Sequence, residues 1–168
     1  MRIVTLVTLA LTVIACSPQE PRSKSPAAAP PAASAPATDA STAVVSPFAG
    51  TTWMFIEYQS NDDSIGTVRP DDPKKYTMTL NADGKAAFQL NCNRGFATWK
   101  VQPGSGNSGG FTFGLMGMTK MRCPPPSLDT QIAKDTEYVR SYVLEGERLH
   151  LSLMADGGIY VWQKTAPP

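Results

Sequence analysis

The feature that most constrains the fold of this chain is the alternation of apolar and polar residues around a turn signal in the segment KYTMTLNADGKAAFQLN. Three apolar residues alternate before the turn and three after it, namely Tyr76, Met78 and Leu80, then Ala86, Phe88 and Leu90. Period-two alternation on both sides of the Asp83-Gly84 pair predicts a β-hairpin with one buried face. A chain built on such hairpins is expected to form an antiparallel sheet.

Other short segments have the same character. They are TTWMFIEY, FATWKV, FTFGLM with Phe111, Phe113 and Leu115 on one face, and three strand-like pieces within LEGERLHLSLMADGGIYVWQK. In the last segment three leucines alternate with Arg148, His150 and Ser152, so we expect His150 to face solvent. The fold class is therefore mainly β. Six to eight antiparallel strands would close into a small barrel-like domain, which removes exposed sheet edges.

One inserted α-helix is predicted after the prolines of the CPPP segment, which end whatever precedes them. Ser127 would cap this helix, and Leu128, Ile132, Val139 and Tyr142 recur at helical spacing. The helix is expected to end near residue 144.

The N-terminus has the pattern of an exported lipoprotein. Arg2 precedes an uncharged, mostly apolar run over residues 3–15. That run is shorter than the roughly 20 residues of a bilayer-spanning helix, so residues 1–15 are predicted to be a signal peptide. The segment VIAC resembles a bacterial lipobox, which implies lipidation of Cys16, and Ser17 after it implies outer-membrane sorting. The alternative is an ordinary cleaved signal that leaves Cys16 as a free thiol.

The composition changes sharply after Cys16. Between residues 17 and 46, nine alanines, six prolines and six serines make up 21 of 30 positions. Such a segment buries too little apolar surface to fold, so residues 16–46 are predicted to be a disordered linker. Residues 47–168 would form one domain, in which 12 basic and 12 acidic residues balance. That balance gives no footprint for nucleic-acid binding.

The sequence contains the segments GTTWMFIEY, KYTMTLNADGKAAFQLNCNRG, GMTKMRCPP and YVRSYVLEGERLHLSLMADGGIYVW. Together they resemble the META domain of HslJ-like bacterial envelope lipoproteins, over residues 48–163. The chain departs from that family at Asn91, where a glycine is frequent, and at Phe96-Ala97, where a glycine-aromatic pair is usual. The resemblance implies a β-rich, barrel-like fold with one helix, in envelope proteins of which several are associated with stress or antibiotic tolerance. It supplies no catalytic residues.

Cys92, in the segment NCNRGFATW, admits three interpretations. A catalytic cysteine needs a base, normally a histidine, and His150 is the only histidine of the chain. A disulfide is favoured by number, because lipidation of Cys16 leaves Cys92 and Cys123 as a pair in an oxidising compartment. A pair of free or redox-active thiols is the alternative to that disulfide.

The third interpretation is a metal site. The segment MGMTKMRC gathers soft sulfur donors of the kind that bind Cu(I), namely Met116, Met118, Met121 and Cys123. Methionine is also common filler of protein cores, and no histidine supports the set. We therefore predict no metal and no cofactor, and keep Cu(I) as an alternative.

Three cations flank the two cysteines. Arg94 follows Cys92 closely, and Lys120 and Arg122 precede Cys123, so a disulfide would bring the three together as a partner-binding surface. Solvated surface charge is the alternative. The tryptophans at 53, 99 and 162 lie on three predicted strands and are expected to fill the barrel rather than to form a ligand platform.

These patterns predict a non-enzymatic, lipid-anchored protein on the periplasmic side of the outer membrane. A binding role towards a periplasmic protein or cell-wall partner fits them best, and the META resemblance implies that this role contributes to tolerance of envelope stress or antibiotics. The alternative is a periplasmic carrier of a small apolar ligand or Cu(I).

Overall fold

The computed structural model describes residues 46–166. The signal peptide, Cys16 and most of the predicted linker lie outside the described residues. Ten strands and one α-helix follow in chain order: β1 Thr51–Gln59, β2 Thr67–Val68, β3 Tyr76–Leu80, β4 Lys85–Leu90, β5 Asn93–Pro103, β6 Ser108–Phe113, β7 Gly117–Met118, α1 Asp129–Asp135, β8 Val139–Glu145, β9 Arg148–Leu153 and β10 Ile159–Thr165. Short 3-10 helices occupy Pro73–Lys75 and Thr136–Tyr138.

Eight of these strands form a closed antiparallel barrel, in the order β1-β3-β4-β5-β6-β8-β9-β10. The barrel closes where β10 pairs with β1, from Thr52 opposite Thr165 to Gln59 opposite Ile159. Two short strands lie outside the eight-strand barrel: β2 pairs with β1, and β7 pairs with β5. The predicted fold class, a mainly β barrel with one inserted helix, is confirmed. No helix within residues 46–166 is long and apolar enough to cross a membrane.

The hairpin predicted from alternation is the β3–β4 pair, and its register places Tyr76 opposite Leu90 and Leu80 opposite Ala86. The inward side chains of both strands are buried in the barrel core. Gly84 in the turn has a φ of 78°, which a glycine adopts without steric cost. The sequence signal and the local geometry therefore agree.

Aromatic side chains fill the barrel. Trp53, Trp99 and Trp162 are at most 8% exposed, so they are core residues as predicted. The interior cavity lined by Met78, Phe88 and Trp162, among others, has a volume of about 10 Å³. That is room for about one water molecule, so this cavity is too small for an organic ligand.

The predicted helix is wrong in its second half. α1 ends at Asp135, and Val139 and Tyr142 belong to β8. Both are buried although they are three residues apart, because an irregularity between Val139 and Ser141 shifts the register of β8 against β9. A β-bulge adds one residue to a strand, so the apolar spacing imitates that of a helix.

Two local predictions are also wrong. Ser127 does not cap α1, since the residue at the N-cap position is Leu128, whose side chain makes no capping hydrogen bond. Leu115 does not continue the buried face of β6, because that strand ends at Phe113 and Leu115 is 82% exposed. The apolar alternation of the sequence continues past the end of the strand, so it does not show where the strand and its buried face end.

Candidate functional site

A disulfide joins Cys92 and Cys123, whose Cα atoms are 5.5 Å apart. Cys92 lies in the turn between β4 and β5, and Cys123 lies in the segment that leads to α1. The backbone N–H of Cys92 also donates to Cys123 Sγ at 3.2 Å. In this state neither sulfur is a thiolate, so neither is a nucleophile or a ligand for Cu(I).

The turn that carries Cys92 depends on Asn91. Asn91 has a φ of 56°, in the left-handed region that asparagine tolerates better than most residues. Its side-chain N–H donates to Ser127 Oγ at 3.0 Å. The asparagine at a position where a glycine is frequent in the resembling family is thus explained by the backbone conformation required there.

Asn93, the first residue of β5, is 1% exposed and joins three segments. Its Oδ1 accepts from Thr119 Oγ1 at 2.9 Å and from the Met121 N–H at 2.8 Å. Its Nδ2 donates to the Met121 carbonyl at 3.0 Å and to Asp129 Oδ2 at 2.7 Å, and lies 3.3 Å from Cys123 Sγ. This single buried amide therefore fixes the segment before Cys123 against β5.

Asp129 begins α1 and is 8% exposed. Burial raises the pKa of its carboxyl, but hydrogen bonds from Ser127, from Asn93 and from the backbone N–H groups of Thr130 and Asp129 outweigh burial and lower the pKa overall. The carboxylate is therefore held ionised inside the cluster. The carboxylate acts as a structural hydrogen-bond acceptor. Its Oδ1 accepts from Ser127 Oγ at 2.7 Å, and its Oδ2 accepts from Asn93 Nδ2.

The three cations predicted from sequence lie on neighbouring segments. Arg94 and Thr119 are tied by two hydrogen bonds of 3.0 Å, from Arg94 N to Thr119 Oγ1 and from Thr119 N to Arg94 O. Lys120 follows Thr119, and Arg122 adjoins the bridged Cys123. All three cations are exposed, and none forms a salt bridge with another residue in the range 46–166.

Sequence reasoning missed three large apolar side chains on the same segments. Phe96 is 62% exposed, Met121 is 65% exposed and Leu115 is 82% exposed. Phe96 pairs with Gly117 of β7, so the segment from Leu115 onwards runs beside β5. We name this surface the bridge face; its residues are Arg94, Phe96, Leu115, Lys120, Met121 and Arg122.

A shallow groove adjoins the bridge face. It has a volume of about 390 Å³, and Arg94 and Phe96 form part of its lining. Most of its other lining residues face outward and are small or polar, namely Thr52, Thr77, Thr79, Ala87, Gln89, Thr165 and Ala166. The core residue Phe88 also contributes to the lining. The exposed ring and guanidinium therefore border a hydroxyl-rich depression.

The sulfur donors proposed for Cu(I) are divided. Met116 and Met118 are half-buried and pack against the core, Met121 is exposed, and Cys123 is in the disulfide. Across the described part of the chain, no three His, Cys, Asp or Glu side chains are placed to hold a metal ion.

His150 lies on β9 and is partly buried, with a side chain 21% exposed, rather than freely solvent-facing as the alternation predicts. Its Nε2 is 3.5 Å from Glu145 Oε2 but does not meet hydrogen-bond geometry with any described residue. Both cysteines within residues 46–166 are joined in the disulfide, so His150 has no described thiol to activate.

A family model described as the META domain matches residues 46–166. The chain belongs to the META domain family. The resemblance found in the sequence is therefore confirmed, and the match covers the whole of the described barrel. Comparison with curated protein sequences gives no match.

Two solved structures resemble this META domain. The NMR structure of a protein from Burkholderia xenovorans has a TM-score of 0.59 at 17% identity, covering 71% of this chain and 85% of that one. The crystal structure of a duf4847 family protein from Bacteroides vulgatus has a TM-score of 0.47 at 16% identity, covering 70% and 94%. The first likeness supports the fold alone. The family description does not point to catalysis.

Proposed function

We propose that this META protein is a non-enzymatic binding module of the bacterial envelope, anchored by lipid on Cys16 at the periplasmic side of the outer membrane. The bridge face binds a periplasmic protein or cell-wall partner, and this binding contributes to tolerance of envelope stress or antibiotics. The lipobox pattern and the Ala/Pro/Ser-rich segment motivate the location. The bridge face motivates the binding role.

The observation that carries the proposal is the composition of the bridge face. Large exposed apolar side chains cost solvation energy in a free monomer, and aromatic, Met and Arg side chains are enriched in protein interfaces. Here Phe96, Met121 and Leu115 lie on the same segments as three cations that have no described acidic neighbour within salt-bridge distance. The disulfide and Asn93 hold these segments in place, so little ordering entropy is lost on binding.

The carrier alternative has less support. An interior cavity of about 10 Å³ leaves no room for an apolar ligand inside the barrel, and the four sulfur donors are split between core, surface and disulfide. A carrier would be stabilised by its ligand, by about 2.7 kcal/mol at a hundredfold excess over Kd. Absence of any shift in Tm with apolar ligands or Cu(I) would favour the binding module.

The test is charge reversal of Arg94, Lys120 and Arg122 together, each to Glu. The matched control reverses three exposed lysines outside the bridge face: Lys74, Lys134 and Lys164. We expect the first variant to fold but to lose complementation of a deletion strain under detergent or antibiotic stress, and to lose cross-linked partners. Full complementation by a folded, membrane-associated triple variant would refute the bridge face as the binding surface.

A second variant separates apolar contact from charge. Phe96→Ser and Met121→Ser together remove exposed apolar area without changing net charge. Because both side chains are largely solvated, stability should change by less than about 0.5 kcal/mol each. Partner cross-linking should nevertheless fall, and unchanged cross-linking would argue against an apolar contact at this face.

A further inference from the structure

A second groove lies further along β5, on the outer surface where β5, β6 and β8 run side by side. Its volume is about 440 Å³. Six residues line it: Lys100, Val101, Gln102, Gly110, Thr112 and Arg140. None of the residues of the bridge face is among them.

The groove lies over β6, the strand between β5 and β8, where Gly110 has no side chain. A Cβ on Gly110 would lie 3.2 Å from Gln102 Oε1 and 3.3 Å from Gln102 Cβ, so a methyl group there would push the Gln102 side chain out of its place at the groove. A smaller depression of about 190 Å³ continues the groove, sharing Lys100 and Thr112 and including Gly114. Glycines at a floor of this kind allow a ligand to approach the backbone closely.

The charge of the groove is positive and uncompensated. Lys100 and Arg140 are both exposed, and neither forms a salt bridge with a residue that the structure describes. Arg140 is nevertheless held in place. Its Nη1 donates to the carbonyls of Glu137 at 2.9 Å and Val139 at 2.7 Å, and its Nη2 lies 3.1 Å from Met154 Sδ. These partners are neutral, so they orient the guanidinium without cancelling its charge.

Strand geometry sets the spacing of the two cations. β5 and β8 are both neighbours of β6, so they are about 10 Å apart at a strand spacing of about 4.8 Å. The flexible Lys100 side chain, on the β5 side of the glycine floor, is long enough to reach a group bound beside the anchored Arg140 on the β8 side. Gln102 and Thr112 add an amide and a hydroxyl donor to the same lining.

We propose that this groove binds a phosphate group. The lining residues include a lysine, an arginine, a glutamine and a threonine, and none of the six carries a negative charge. A phosphate monoester presents three acceptor oxygens and close to two negative charges, and so matches this set of donors more fully than a carboxylate does. The phosphate belongs either to a soluble ester or to a lipid headgroup, and both present the same chemistry to the groove.

The experiment follows backbone amide resonances of the purified full-length protein in uncharged detergent micelles. In one arm glycerol 3-phosphate is titrated, and in the other short-chain phosphatidic acid is added to the micelles. We expect the amides of Gly110, Thr112 and Gly114 to shift in at least one arm. Lys100→Gln with Arg140→Gln should weaken the apparent affinity at least tenfold, whereas the control pair Lys74→Gln with Lys164→Gln should change it less than twofold.

Gly110→Ala tests the shape of the groove at constant charge, and it should weaken binding severalfold. Shifts confined to the first arm identify a soluble ester, and shifts confined to the second identify a lipid headgroup. The proposal is overturned if the groove amides shift in neither arm, or if the control pair weakens binding as much as the groove pair. It is also overturned if Gly110→Ala binds as tightly as wild type.

Discussion

The side-chain amide of Asn93 donates a 2.7 Å hydrogen bond to the carboxylate of Asp129, and both groups are buried. The two residues are 36 positions apart, one at the start of β5 and the other at the start of α1. The contact lies beside the disulfide, so a covalent bond and hydrogen bonds both join the start of β5 to the segment that leads to α1. The bridge face is displayed by the segments that meet there.

Asn93→Ala should be strongly destabilising. The substitution leaves one oxygen of Asp129 without its partner in a buried contact, and leaves both backbone polar groups of Met121 without theirs in part-buried contacts. One unpaired buried group costs about 1–3 kcal/mol, and water can replace the partner of the part-buried Met121 groups, so we expect a loss of about 1–3 kcal/mol in the free energy of unfolding in urea. Lys100→Ala, on the outer surface of the same strand, should change stability by less than about 0.5 kcal/mol. Equal effects of the two variants would contradict the role of Asn93.

The buried carboxylate predicts a specific pH dependence. Hydrogen bonds lower the pKa of Asp129 in the folded protein, below an unfolded value of about 3.9. Its stabilisation is therefore fully present above that unfolded value and is lost as the pH falls through the folded-state pKa. We expect Asp129→Asn to be less stable than wild type by about 1–3 kcal/mol at pH 7. The difference should shrink as the pH falls from 4 towards 2.

Urea unfolding at pH 7, 5, 4, 3 and 2 measures this difference, and Asp63→Asn, which removes an exposed carboxylate, is the control. A difference between wild type and Asp129→Asn that stays constant down to pH 2 would show that the carboxylate charge contributes nothing at this site.

The fold could be predicted from the sequence because apolar and polar residues alternate along every strand that has a regular register. The β3–β4 hairpin has one buried and one solvated face, and each apolar residue at the expected position is buried. In β8 the same reasoning failed, since an irregular register near Val139 spaced two core residues as in a helix. The apolar pattern of a segment therefore predicts its secondary structure only where its strand pairs with its neighbour without a bulge.

The candidate site was predictable only in part. Cysteine number and compartment led to the Cys92–Cys123 pair, and neighbours in sequence led to the three cations. The polar cluster was not foreseen, because Asn93 and Asp129 meet only after the chain has folded over 36 residues. The sequence pattern predicts Phe96 and Leu115 as strand residues and offers Met121 as a sulfur donor or core residue; their exposure was not predictable, since apolarity does not reveal which face of a barrel a residue occupies.

Lipidation of Cys16 is a separate prediction about a residue outside the described range. Cys16→Ser should abolish incorporation of labelled palmitate, because the thiol is the atom that accepts the diacylglyceryl group. The double variant Cys92→Ser with Cys123→Ser is the control and should keep the label. Labelling of the Cys16→Ser protein at the wild-type level would remove the anchor from the proposed function.

The disulfide predicts how the domain responds to reduction. Cys92 and Cys123 are 31 residues apart, and closing a loop of that length is worth about 3–4 kcal/mol through the entropy of the unfolded chain. We expect Cys92→Ala with Cys123→Ala to lower the free energy of unfolding by that amount, and wild type in reducing agent to match the double variant. Thiol labelling of unfolded, non-reduced protein should find no free sulfhydryl at either position. Two labelled cysteines, together with no effect of reductant on the urea midpoint, would mean that the Asn93 cluster alone holds the bridge face in place.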